Sequence, residues 1–233
     1  MTVRYLIKFT KEGEIKFISH LDLMRTIQRV IRRAKLPVEY SKGFNPHMSL
    51  SLAQPLSVGT YSAGEYMDLV LLNEVNEEEI IEALNKSTVM GVKFVSATKV
   101  IIPEGRKVLQ GMALIDAASY TLTFKLKEGS KPDFQKLIDI PNWNMLKKTK
   151  SGEKEVDIKT LVKSIEGKVE EDKLIVKTLI SCGSRENLSA SLLCDFIKEN
   201  IEDIKRDTFV DIKREEMYAL KEKELVSLDK FFL

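Results

Sequence analysis

Histidine is the scarcest of the residues that usually carry chemistry in this chain: there are two, His20 and His47, beside two cysteines and one tryptophan in 233 residues. Cys182 and Cys194, twelve residues apart, do not pair with the histidines at zinc-finger spacing and are too few for a disulfide framework, so we expect two reduced, buried thiols and no metal. No apolar run approaches the ~20 residues of a membrane span, and the opening MTVRYLIKFTKEGEIKF lacks the basic-then-apolar order of a signal peptide. No Gly-x-x-x-x-Gly-Lys phosphate loop is present, and no Gly-x-Gly-x-x-Gly follows a strand, so no cofactor is expected. These absences describe a cytoplasmic protein without a bound redox or nucleotide cofactor. Its composition, 43% hydrophobic and 31% charged, is that of an ordinary globular chain.

Charge is plentiful and unevenly placed. Residues 1–60 contain ten Lys or Arg against four acids, a net of +6, whereas the remaining 173 residues carry a net of −4. A positive N-terminal region favours an anionic partner there. Within it, SHLDLMRTIQRVIRRAKLP has a helical period, with Ser19 as cap, Asp22 in the capping-box position and Pro37 beyond the end. At about 100° per residue, Arg25, Arg29, Arg32 and Arg33 share one face, opposite Leu23, Ile27, Val30, Ile31 and Ala34. No acid lies on the helix between Asp22 and Glu39 to neutralise the stripe. It reads either as a guanidinium surface for phosphate or as a solvated helix face.

The order of elements points to an α+β fold. RYLIKFTK, the helix, MSLSLA with GEYMDLVLL, NEEEIIEALNKS and VKFVSATKVI give β-α-β-β-α-β, the order of a ferredoxin-like unit whose helices cover one face of an antiparallel sheet. A weaker echo follows: SYTLTFKLK, KPDFQKLIDI, LVKSIEGKVEEDKLIVKTLI, ENLSASLLCDFIKENI and DTFVDIKREEMYAL, with an inserted segment at 141–160. We therefore expect two ferredoxin-like-type halves: a basic one over 1–102, a linker over 103–117, and a second over 118–233. Trp143 is expected to be a packing anchor. Ser184 and Arg185, ahead of a helix beginning near Asn187, are expected to serve in capping, with a second small anion site as the alternative.

Two segments hold the candidate site. His20 belongs in the first turn of the helix, where the dipole keeps an imidazole neutral, with Ser19 and Asp22 beside it. The loop SKGFNPHMS adds Ser41, Lys42, Asn45, His47 and Ser49, with Phe44 available for stacking and Gly43 and Pro46 setting the turns. The catalytic candidates are His20, His47 and Asp22; the anion-binding candidates are Ser19, His20, Arg25, Arg29, Arg33, Lys42, Phe44, Asn45 and His47. Their alternative roles are structural: a capping histidine and a rigid connection. A β-α-β unit would bring the two segments to one end of the sheet.

FISHLDLMRTIQRVIRRAKLPVEYSKGFNPHMSLSLAQPLSVGTYSAGEYMDL resembles the start of the radical SAM-linked family, bacterial proteins of unknown function that occur alone or joined to a radical SAM protein. SHLD, YSxGFNPH and PLSVG with GEYMD carry the likeness, which is dense from Val3 to Asp68; VDIKTLVKSIE extends it more loosely. Met48 departs from the family pattern, where a proline often follows the NPH histidine. The matching motif positions are Ser19, His20, Asp22, Arg25, Gly43, Phe44, Asn45, Pro46, His47, Gly59 and Glu65, and the family lends no catalytic roles. The resemblance implies a radical SAM protein as partner and RNA-linked or ribosome-linked work. Two cysteines cannot ligate a radical SAM cluster, so we expect an accessory protein that binds RNA or another phosphate-bearing substrate and presents it to a separate radical SAM enzyme. Two rivals stand beside it: a metal-independent ribonuclease, similar in outline to the CRISPR repeat-cleaving endonucleases, and a protein-interaction scaffold.

Overall fold

The computed structural model describes residues 2–102, 108–149 and 152–233, so five residues of the expected linker, 103–107, lie outside the described residues. The chain is α+β and divides into two compact units, Met1–Asp116 with Glu216–Leu233, and Ala117–Glu215.

The first unit is built on β1 (Val3–Lys11), whose alternation sends Tyr5, Ile7 and Phe9 to one face and Arg4, Leu6 and Lys8 to the other. Helix α1 (His20–Arg33) begins where the Ser19 Oγ accepts the Asp22 amide at 3.2 Å, and buries Leu23, Ile27, Val30 and Ile31, the spacing of one helical stripe. After the short β2 (Leu50–Leu52) come β3 (Thr60–Leu71), α2 (Glu77–Ser87), capped by the Asn76 side chain, and β4 (Val92–Lys99). β1 lies between β3 and β4, antiparallel to both, and β2 pairs with β3 through Leu50↔Leu69, Ser51↔Asp68 and Leu52↔Met67. The core gathers Tyr5, Ile7 and Phe9 with Ile27 and Val30 of α1, and with Ile80 and Leu84 of α2. The short α3 (Gly111–Leu114) completes this part of the unit.

The second unit starts with β5 (Ile115–Lys125) and α4 (Phe134–Ile138). The expected insertion is a hairpin, β6 (Asn144–Thr149) with β7 (Gly152–Asp157). β8 (Val162–Glu170) and β9 (Lys173–Ser181) pair antiparallel, and β9 also pairs with β5. Trp143 is 1% exposed and stacks on Phe196 with ring centroids 4.8 Å apart. Helix α5 (Ala190–Asn200) is capped by Ser189, not from Ser184 or Asn187: the Leu188 amide is bonded to Ser181 O at 2.9 Å, which holds the preceding residues as a loop. Cys182 and Cys194 are buried and form no disulfide. At the start of β10 (Asp211–Lys221), Arg214 Nε donates to the Tyr120 hydroxyl at 3.0 Å. From Glu216 the chain belongs to the first unit, where β10 pairs with β11 (Glu224–Ser227). The chain thus crosses between units twice, once within β5 and once within β10, where composition leaves no mark. No helix among the described residues is long and apolar enough to cross a membrane.

Candidate functional site

The basic residues of the N-terminal region divide into internal and external sets. Arg4 and Lys11 are 8% and 1% exposed. Arg4 donates to the carbonyls of Val108 and Leu109 at 3.1 and 2.9 Å and lies 3.6 Å from Asp68. Lys8 pairs with Glu216 and Asp229, and the Tyr66 hydroxyl donates to the same Glu216 at 2.7 Å. Lys11 Nζ donates to the carbonyls of Lys16 and Ile18 at 3.0 and 3.2 Å. Three of the ten cations therefore fasten the unit from within and add little to its outer surface.

Lys11 sets the entry to α1. Its two carbonyl partners, together with the Gly59 amide bonded to Lys16 O at 2.8 Å, fix the segment before the cap. His20 follows in the first turn, half-buried. Burial, and then the positive charge of Lys11, hold its imidazole below the ordinary value, so the neutral ring is the resident form at neutral pH. Asp22 does not turn toward the histidine: its carboxylate accepts from Ser19 Oγ at 2.7 Å and from Arg25 Nη1 at 3.1 Å, and these bonds hold it below the usual carboxylate range.

The arginine stripe is also divided. Arg25 is tied to Asp22, and Arg33 donates through Nε and Nη2 to Ser87 O at 3.1 and 2.7 Å, capping the end of α2. Arg29 and Arg32 are exposed on the helix surface.

The SKGFNPH segment is a closed hairpin. Ser41 N donates to His47 O at 2.8 Å and His47 N returns to Ser41 Oγ at 2.9 Å, just inside the Tyr40↔Met48 bridge. Gly43, at φ +132°, takes a backbone conformation that disfavours any side chain. Lys42, Asn45 and His47 are exposed, and Phe44 is fully exposed, at 112% of its reference surface.

The hairpin and His20 are anchored at opposite ends of the β1–β3 pair. The hairpin stem bonds to Val70, opposite Arg4, whereas His20 neighbours Lys11, opposite Ser62. Seven residues of strand separate these points, roughly 23 Å at ~3.3 Å per residue. The helix between them carries the arginines; the two motifs are not joined at their anchors.

Residues 4–190 match the family model described as "Uncharacterized protein conserved in bacteria (DUF2344)". The chain belongs to this family. Its domain is found fused to or alongside radical SAM proteins. No curated protein matches. Among solved structures, an unknown protein from Galdieria sulphuraria is 10% identical, covers 92% of this chain and 99% of its own, and has a TM-score of 0.25, too low to carry an argument about the fold.

The family-like GEYMD motif supplies internal groups rather than surface ones. Glu65, Tyr66 and Asp68 are 4%, 1% and 2% exposed. Asp68 accepts from the Gly111 amide at 2.7 Å and lines a cavity of about 330 Å³ with Glu39, Ser49, Ser51 and Gln110. Of these five only Ser49 is among the residues the sequence assigns to the candidate loop. A signal was present: in MSLSL the serines alternate with Met48, Leu50 and Leu52, which pack into or against the core, so the serines face the other way. Among the described residues no group of three His, Cys, Asp or Glu comes together as a metal site.

Proposed function

We propose that this protein is an accessory factor of a radical SAM enzyme that binds RNA, or a comparable phosphate-bearing strand, in its first unit. The carrying observation is the hairpin tip: a fully exposed Phe44 displayed with Lys42, Asn45 and His47 on a rigid, closed turn. An exposed aromatic costs solvation unless it meets a partner, and a base can stack on it whatever its sequence. Arg29 and Arg32 on α1 supply phosphate contacts, and Arg25 joins them by exchanging Asp22 for phosphate. Both units support a ferredoxin-like reading by element order: β4-β1-β3 with β2 beside β3 in the first, and β5-β9-β8 in the second.

The test is binding of total cellular RNA across a salt series. Affinity should fall with salt by about 0.7 log units per log unit for each phosphate contact, and Arg29→Ala/Arg32→Ala should make the slope shallower. Phe44→Ala should weaken binding by about 5–150-fold, the range of one lost base stack, with folding unchanged. Identical binding by wild type and both variants would refute the reading.

His20 favours a second reading, as a general base of a metal-independent ribonuclease, because its neutral form is resident beside an internal lysine. RNA cleavage in chelator that disappears in His20→Ala would support it; intact RNA across a broad panel would retire it.

A further inference from the structure

An open strand edge invites another strand, and proteins blunt such edges with charge or with side chains that occupy the place of the missing neighbour. β4 is blunted in the second way: Asn85 Nδ2 of α2 donates to Phe94 O at 2.8 Å, and the Phe94 amide returns to Asn85 Oδ1 at 3.0 Å. β8 is blunted in the first, exposing Lys163, Glu166, Lys168 and Glu170. β7 does the same with Glu153, Lys154 and Glu155. β6 does not: Asn144, Met145 and Leu146 carry no charge, and Leu146 is 63% exposed.

The register of the hairpin turns this uncharged backbone outward. Ile158 N donates to Trp143 O at 3.0 Å, so these two are a hydrogen-bonded pair, and by alternation so are Met145↔Val156 and Lys147↔Lys154. Asn144 and Leu146 fall in the intervening pairs, with amide and carbonyl directed away from β7. Among the described residues no other segment bonds to those four groups. The side chains alternate as well: Trp143 stacks on Phe196, and Lys147 Nζ donates to Asn187 O at 2.8 Å, so one face of β6 rests on α5 and the two run antiparallel. Between them lies a groove of about 560 Å³, with Asn144, Met145 and Leu146 on one wall and Leu192, Asp195 and Glu199 on the other. The last three share a helix face by their spacing, and the whole groove belongs to the second unit.

We propose that this groove docks an extended segment of a partner protein, which adds to β6 as a third strand with an apolar residue against Met145 and Leu192 and carboxylates toward Lys147. A strand edge beside a helix supplies main-chain hydrogen bonds for affinity and side-chain contacts for selectivity. Charge selects the occupant. Lys147 donates to a neutral carbonyl, so its charge is not cancelled there, and Lys148 follows it in the strand; opposite charges on neighbouring strands attract. At the other end of the groove Asp195 and Glu199 are balanced by Lys198 and Arg206, so no net charge is favoured. β6 is six residues long, roughly 20 Å at ~3.3 Å per residue, which sets the length of the added segment. The groove shares no residue with the RNA surface of the first unit and stands or falls independently of it.

The experiment selects binders of the full chain from a random heptapeptide library displayed on phage, with the Leu146→Pro chain as counter-target. Proline there removes only an outward amide and leaves the ladder to β7 in place, so the variant should keep its fold. Enriched peptides should carry an apolar residue within two positions of acids, bind the full chain about tenfold or more tightly than the variant, and slow hydrogen exchange at the Asn144 and Leu146 amides. A second arm needs no protein variant. In an added strand alternate amides face β6, so N-methylation of a selected peptide at amides of one parity should weaken it about tenfold, and at the other parity hardly at all. Replacing its acids by lysine should weaken it several-fold. No enrichment over the counter-target, enriched peptides that are basic, N-methylation without alternation, or a concentration-dependent dimer through β6 in place of peptide binding would overturn the proposal.

Discussion

Gly91 sits at φ +88°, and a Cβ built there would stand 2.7 Å from Ile15 Cγ2. Both the backbone and the neighbour therefore demand glycine, and Gly91→Ala is expected to cost about 1–3 kcal/mol, seen as a lower urea midpoint with unchanged slope. An unaltered midpoint would contradict this packing. At His20 the expectation concerns pH. Its folded value lies below the ordinary 6.5, through burial and then Lys11, so as pH falls from 6.5 the unfolded chain takes up the proton first. Its contribution to stability is full above 6.5 and is lost as pH falls toward the folded value. An NMR titration of the ring should place its midpoint below 6.5, and His20→Gln should flatten the pH dependence of the urea midpoint in that window. A midpoint at or above 6.5 would show that Lys11 does not act on the ring. Neither property is legible from residue identity: a histidine in the first helical turn is visible in SHLD, but the buried ammonium beside it comes from a strand nine residues earlier.

At the scale of the element, the amphipathic pattern of α1 predicted its core stripe and its cap correctly, because both follow from 3.6-residue periodicity and local hydrogen bonding. The pattern could not distinguish one arginine from another. Arg33 closes the end of α2 across 54 residues of sequence, whereas Arg29 faces outward. Arg33→Met should therefore lower stability by about 1 kcal/mol, the worth of a hydrogen bond made by a charged donor at an exposed site, while Arg29→Met should change it by less than about 0.5 kcal/mol. Thermal or urea unfolding of the two variants side by side checks this; equal effects would mean that the cap contributes nothing. The same contrast governs the hairpin, where Ser41 and His47 shape the turn and Phe44 is displayed by it.

Over the whole molecule, the first unit is completed by the end of the chain. Leu228 is fully buried, and Asp229 sits 3.3 Å from Lys8, more than two hundred residues away in sequence. Leu228→Ala should destabilise by about 2–5 kcal/mol, and hydrogen exchange should quicken at the β1 amides while β9 in the second unit keeps its protection. Loss of protection in β9 alone would contradict the assignment of this segment to the first unit. The sequence by itself determined the α+β class, most helices and strands though not α3, the β6–β7 hairpin or β11, the N-cap of α1 and the family motifs, because periodicity, capping and turn chemistry act over a few residues. Only the tertiary structure decided that Arg4, Lys8 and Lys11 are internal, that the SHLD and GFNPH motifs are anchored apart, that Glu216–Leu233 returns to the first unit, and that Asp68, Ser51 and Glu39 share a cavity. Those facts depend on strand register and on contacts between distant segments, and a pattern read along one segment contains no information about which other segment it will meet.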